Sequence, residues 1–259
     1  MDTEGSAAID DALARAVVYR TTSLALQPPS EDRLHQMGAQ EGFGPVLAAA
    51  RLVGRQAGTG DLAAAAARLA ATPPVIDEMR DHFVRLFGHT ARGLVCPCET
   101  EYGPENGFHQ PQQLADIAGY YLAFGLQPAA GTDARVDHIA CECEFMDFLN
   151  RKEAVLLDAA IRSDEAQETL DATRQAARTF LRDHLALFGC AFAARLANED
   201  RDGCYGAIAW LLLTLLKADC ARLGVGTGPT DLVVRPEEAH DVPMACGTAD
   251  ELIQIQRRP

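Results

Sequence analysis

The sequence predicts an all-α protein, a single helical bundle-like unit, and three observations predict it. Apolar residues recur at helical spacing along almost the whole chain. No stretch shows the alternating β-branched pattern of a strand, and the periodic stretches are separated by short clusters rich in Gly and Pro. Helices joined by short turns bury their apolar stripes against one another as a bundle. At 259 residues with 48% apolar content, the chain has enough material for a sizeable core without disulfide staples.

Each element has its own signal. From Ile9 to Leu26, the residues Ile9, Leu13, Ala16, Val17, Tyr19 and Leu24 form one apolar face, stopped by Pro28 and Pro29. Ser30 is the expected N-cap of the next helix, in "SEDRLHQM", and Gly42, Gly44 and Pro45 break the helical pattern after it. Two Ala-rich helices come next, at Pro45 to Gly54 and Asp61 to Ala71. In "TPPVIDEMRDHFVRLFG", Thr72 is the expected cap and Pro73 takes the first helical position. Val75, Ile76, Met79, Phe83, Leu86 and Phe87 share one stripe, and Gly88 ends it. Residues 89–110 show no periodicity, and a loop of that length implies a function or a fixed packing role.

Pro111 opens a further helix to Phe124. Thr132 or Asp133 is the expected cap of a helix from Arg135 to Ile161, whose stripe of Val136, Ile139, Ala140, Cys143, Met146 and Leu149 faces the core. Ser163 starts a long helix through Ala197, and after "NEDRDG" the last strong helix runs from Tyr205 to Leu223. The tail beyond Gly224 is irregular, with room for one short helix at "TADELIQIQ". One helical domain over 1–259 is therefore expected, with halves at 1–88 and 111–224 on either side of the 89–110 loop and a tail at 225–259.

Composition narrows the partners. Thirty-seven acidic against 23 basic residues leave a formal net charge of −14, which repels nucleic acid and suits a basic peptide. The N-terminus carries acids where an export signal needs basic residues, so a cytoplasmic protein is expected. The longest apolar run, "AIAWLLLTLL", has ten residues, against about 20 for a membrane span, so no stable membrane insertion is expected.

Two Cys-x-Cys pairs invite a metal reading. Zinc sites usually space their cysteines by two to four residues so that the chain can fold back on the ion, and neither pair does so. Cys141 and Cys143 fall within a predicted helix, where a separation of two residues turns the side chains about 200° apart. Cys96-Pro97-Cys98 lies in the loop and keeps open an alternative, a metal-binding or redox-sensing helical protein. No cofactor motif is present, no metal is expected, and the reading is not an enzyme. His138 and Glu142, four apart, are expected to meet on one helical face. A pair of that kind without a nucleophile is more often an interface hydrogen bond than an acid–base device.

Three segments carry a family resemblance. "FVRLFGHTARGLVCPCETEYG" is similar to a Leu-Phe, spacer, Pro-x-Glu-Ser-x-Tyr segment through Leu86, Phe87, Pro97, Glu99, Thr100 and Tyr102. "VDHIACECEFMDFL" resembles a Pro-Asp-His-Ile, Glu-Leu-Glu-Phe-Met helix through Asp137, His138, Ile139, Glu142, Glu144, Phe145 and Met146. "FLRDHLALFGCAFAARL" resembles a Phe-x-x-x-His-Leu helix, with His184 and Leu185 kept. The family is that of the TorD/DmsD/NarJ-like molybdoenzyme chaperones, also called redox enzyme maturation proteins. Val136, Cys143 and Phe188 depart from its proline, leucine and tryptophan.

The resemblance implies a cytoplasmic chaperone, a monomer or a dimer, that binds the twin-arginine signal peptide and apo-form of a molybdopterin oxidoreductase subunit. It also implies contacts for that peptide: Asp137 and His138 first, Glu142 and Glu144 as an acidic rim, Pro97 and Glu99 in the loop, and Phe87, Tyr102, Phe145 and Met146 near an apolar groove.

Overall fold

The computed structural model describes residues 3–56, 58, 60–88, 93–103, 109–127, 135–160 and 163–235. The helices are α1 (Thr3–Ala25), α2 (Glu31–Gln36), α3 (Gly44–Gln56), α4 (Asp61–Ala71), α5 (Ile76–Phe87), α6 (His109–Ala123), α7 (Ile139–Ala160), α8 (Asp164–Phe180), α9 (Ala186–Glu199) and α10 (Cys204–Leu223). Among the described residues there are no strands; isolated bridges pair Cys98 with His138 and Tyr102 with Val234. The protein is all-α.

The most apolar helix is the most enclosed. Between Tyr205 and Leu216 only Trp210 and Thr214 escape full burial, because α9, α4 and α1 surround α10. By length and composition α10 is long and apolar enough to cross a membrane, but 78% of its most apolar window is covered by the rest of the fold, the position of a core helix. Around it, α1 lies on α7 and α3, α8 on α7, and α3 on α4. One apolar cluster is continuous from Ala14 to Cys220.

Several boundaries differ from the sequence reading for local reasons. α5 begins at Ile76 after an extended Val75, not at Pro73. Thr72 and Pro73 each precede a proline, which biases both away from helical backbone. α7 begins at Ile139, not Arg135, because the backbone at His138 is bridged to Cys98. His138 is its N-cap: the carbonyl accepts from Glu142 N (3.1 Å) and Nδ1 from Ala140 N (3.1 Å). The caps expected at Thr132 and Asp133, and the short helix expected in the tail, lie outside the described residues.

The long helix after Ser163 is present, with Ser163 Oγ accepting from Ala166 N, but a π-helical turn at Leu181–Leu185 joins α8 to α9. Such turns insert an extra residue and re-aim a side chain. Here that side chain is His184. The irregular tail packs back on the loop, with Gly103 N donating to Val233 O (2.9 Å) and Arg235 N to Glu101 O (2.7 Å). It crosses α9 so closely that a Cβ on Gly228 would lie 2.0 Å from Ala186 O, so only glycine fits there.

Candidate functional site

The loop at 95–102 is stitched to the start of α7 by backbone bonds, Ile139 N to Pro97 O (2.8 Å) and Glu99 N to Asp137 O (2.9 Å). Asp137, 0% exposed, is the staple between them. Its Oδ2 accepts from Thr100 N (3.0 Å) and Thr100 Oγ1 (2.8 Å), while Arg135 grips the carboxylate through Nε to Oδ1 (3.0 Å) and Nη2 to Oδ2 (2.9 Å). Arg135 also reaches Glu101 Oε1 through Nη1 (2.9 Å). Beside it, burial pushes the His138 imidazole down to about 4, so the ring is neutral at physiological pH. Because Nδ1 accepts from Ala140 N, its proton sits on Nε2.

The expected His138–Glu142 pair does not form, since His138 stands outside the helix and Glu142 turns inward. Glu142 is 0% exposed and neither of its oxygens faces a donor, and Glu99 Oε2 is likewise without one. Burial, then the charge of Glu99 and a hydrogen bond to it, push the Glu142 carboxyl well above the usual range. Burial and the neighbouring Glu99 carboxylate thus favour the neutral form of the Glu142 carboxyl.

The other oxygen of Glu99 accepts from Gln113 Nε2 (2.6 Å) and lies 3.2 Å from His184 Nδ1. His184 Nε2 is in turn 3.3 Å from Asp116 Oδ2 at the surface. Burial alone would depress His184, but Glu99, Asp116 and Asp183 outweigh it and its pKa is raised. A polar line thus runs from Glu142 through Glu99 and His184 to Asp116. It also fastens α6, which supplies Gln113 and Asp116 together with Gln110, whose Nε2 donates to Thr100 O (3.1 Å). Tyr120 packs edge-on against His184 with ring centroids 5.6 Å apart, and Tyr121 OH donates to Val136 O (2.9 Å).

Cys96 and Cys98 are buried, and a hydrogen bond from the Cys98 thiol to Cys96, then burial, push that thiol far up, away from the reactive thiolate. Cys143 is fully buried in the α7 stripe, and burial raises it as well. Among the described residues no group of three or more His, Cys, Asp or Glu side chains is arranged to hold an ion.

The structure brings Pro97, Glu99, Asp137, His138 and Glu142 together, with Tyr102 anchoring the loop through its hydroxyl on Cys96 O (2.8 Å). Pro97 and His138 are half-buried and Glu144 is exposed, whereas Glu99, Tyr102, Asp137 and Glu142 are buried. Phe145 and Met146 belong to the core and offer no open groove surface. Phe87 is set apart, among Phe83, Phe192 and Tyr205. Sequence reasoning missed Arg135, Asp116 and Gln113, and treated His184 only as a matching residue in a helical stripe. An apolar-phase residue that is itself titratable was the one available signal for His184.

An all-helical fold of this kind is that of a TorD-like domain. The chain matches the family described as "Nitrate reductase delta subunit" over residues 54–202, more than half its length, and belongs to that NarJ/TorD-like family of redox enzyme maturation proteins. The matched span contains the loop, the hinge at 135–138 and the π turn. No curated protein and no solved structure matches the chain. Family membership makes this a molybdoenzyme maturation chaperone in general terms, a class that serves a catalytic subunit and is not itself one.

Proposed function

We propose that the chain binds the twin-arginine signal peptide and apo-form of a molybdopterin oxidoreductase catalytic subunit in the cytoplasm. It holds that subunit while cofactor is inserted and delays its export. The observation that carries this reading is the family match across 54–202, which brackets the loop, the hinge and α6.

The surface chemistry around the hinge supports it. A signal peptide presents a basic stretch followed by an apolar one. Glu144 and Asp116 reach solvent, Leu122 of α6 is exposed, and the half-buried Phe124 and, on α7, Phe148 have ring centroids 6.0 Å apart. Among the residues expected to contact the peptide, His138, Glu144 and Pro97 are accessible as the fold stands. Asp137, Glu99 and Glu142 act from beneath them.

Calorimetric titration of the full chain with a synthetic twin-arginine signal peptide tests this. Binding is expected, weakened about fivefold or more when His138→Ala and Glu144→Ala are combined. Affinity unchanged by that pair would move the contact away from the hinge. Capture of the apo-enzyme without any affinity for its signal peptide would leave a chaperone that reads another part of its client.

A further inference from the structure

We infer that Asp137, Thr100 and Glu101 form a guanidinium site for an arginine of the client peptide, and that Arg135 occupies this site in cis until the client displaces it. The inference rests on the peptide-binding reading above and adds the ligand group and its internal competitor. Its basis is the guanidinium already seated there. Arg135 makes a two-pronged contact to Asp137 at 3.0 and 2.9 Å, a third to Glu101 at 2.9 Å and a fourth to Thr100 Oγ1 at 2.7 Å. A planar fork on a carboxylate with flanking acceptors is the geometry that arginine satisfies and lysine does not.

The two partners differ in how freely they can leave. Asp137 is 0% exposed and its Oδ2 is held by the backbone N–H of Thr100 (3.0 Å), which Arg135 does not touch, so the acceptor stays in place when the guanidinium departs. The Arg135 side chain is 44% exposed. Its backbone is held separately, with Arg135 O accepting from His138 N (3.1 Å), so the side chain swings out without unstitching the hinge.

The charges facing the site favour an incoming cation. Asp137 and Glu101 are the acids in contact with the Arg135 guanidinium, and the neighbouring His138, pushed down to about 4 by burial, adds no positive charge near neutral pH. A client arginine therefore exchanges one guanidinium for another on a carboxylate that is never left bare in the interior. Removal without replacement is the costly case for a buried charge. If the internal arginine fills the fork about nine-tenths of the time, it lowers the apparent affinity for the client about tenfold.

The test compares Arg135→Gln with Arg151→Gln, which removes the same charge from an exposed residue farther along α7. Calorimetry with a twin-arginine signal peptide and its Lys-Lys counterpart reads the competition. Arg135→Gln is expected to bind the twin-arginine peptide about tenfold more tightly than the wild type, with Arg151→Gln within twofold of wild type and no such gain for the Lys-Lys peptide. A second measurement uses arginine amide as the probe. It should raise the melting temperature of Arg135→Gln and leave that of the wild type unchanged.

Arg135→Lys, which keeps the charge but not the fork, gives an intermediate gain and serves if the glutamine variant folds poorly. Peptide binding by the wild type with no gain in either Arg135 variant and no effect of arginine amide would overturn the inference while leaving the client reading intact. Stabilisation of Arg135→Gln by arginine amide, with no peptide binding by any variant, would support the site and sink the client reading.

Discussion

Two groups of buried charge, at two levels of α7, are neutralised in opposite ways. Toward the C-terminal part of the helix, Arg15 of α1 is 2% exposed and lies among acids. It donates to Asn150 Oδ1 (2.7 Å) and Glu153 Oε2 (3.1 Å), pairs with Asp11, and faces Asp219, which also accepts from Tyr19 OH (2.8 Å) and Arg222 Nε (2.9 Å). Burial would raise the Asp219 carboxyl, but Arg222 and Arg15 outweigh it and hold it below its ordinary value. At the N-terminal end, the Glu142 carboxyl has no guanidinium on it, and burial together with the charge of Glu99 raises its pKa and favours its neutral form.

The first group ties α1, α7 and α10 together with fixed cations and does not depend on pH near neutrality. The second is sealed by α6 and by His184, whose raised imidazole responds to proton concentration. The fold is thus clamped at one level and adjustable at the other. The adjustable level adjoins the hinge.

The largest expected effect breaks the clamp. Arg15→Met leaves Asp11, Glu153 and Asp219 short of a buried partner and should cost about 3 to 5 kcal/mol in urea unfolding. A loss below about 1 kcal/mol would erase the contrast between the two groups.

Glu142→Gln should act in the opposite direction, because an amide donates to Glu99 without a proton to lose. The sign comes from the raised folded pKa of Glu142. Below the unfolded value of about 4.3 both states are protonated and nothing is lost. As pH climbs past it, the unfolded chain releases the proton and the folded one retains it, so wild-type stability falls toward the folded value. The variant is expected to gain about 1 to 3 kcal/mol at pH 8 and little at pH 4.5, the range for a buried polar group relieved of an unmade bond. Equal stability of the two proteins at pH 8 would show that the fold does not raise the Glu142 carboxyl.

The smallest effect is at the contact between His184 and α6. His184→Gln should cost about 1 kcal/mol and speed amide exchange in α6, which loses the charged contact to Asp116. The imidazolium contribution is complete below the unfolded value of about 6.5 and is lost as pH rises through the raised folded value. The difference from wild type should therefore be larger at pH 6 than at pH 8.5. A pH-independent difference would make His184 a packing residue only.

Much of the architecture was legible beforehand. The stripe Ile139, Ala140, Cys143, Met146 and Leu149 is buried as its spacing predicts, Ser163 caps the helix it precedes, and "AIAWLLLTLL" lies inside the central helix. The site was legible only in part. Asp137, His138, Glu99 and Glu142 were singled out by their place in motifs, yet their partners were not. His138 was paired with Glu142 on a helix that begins one residue later, and Glu142 meets Glu99, 43 positions earlier. In α1 the apolar pattern placed Leu13 inward, but it is largely exposed while Arg15 and Asp11 are buried. A charged row with partners on three other helices can face the interior, and nothing local to α1 announces those partners.

By itself the sequence determined the all-α class, most helix spans and the apolar faces of α7 and α10, because these arise from backbone preferences and a 3.6-residue period acting within a single segment. Only the tertiary structure decided which acids are paired with arginine, which is buried without a cation, and that the chain's own Arg135 fills the fork at Asp137. Those outcomes depend on groups distant in sequence meeting in a medium where an unpaired charge is expensive, and that cost exists only once the chain has folded around them.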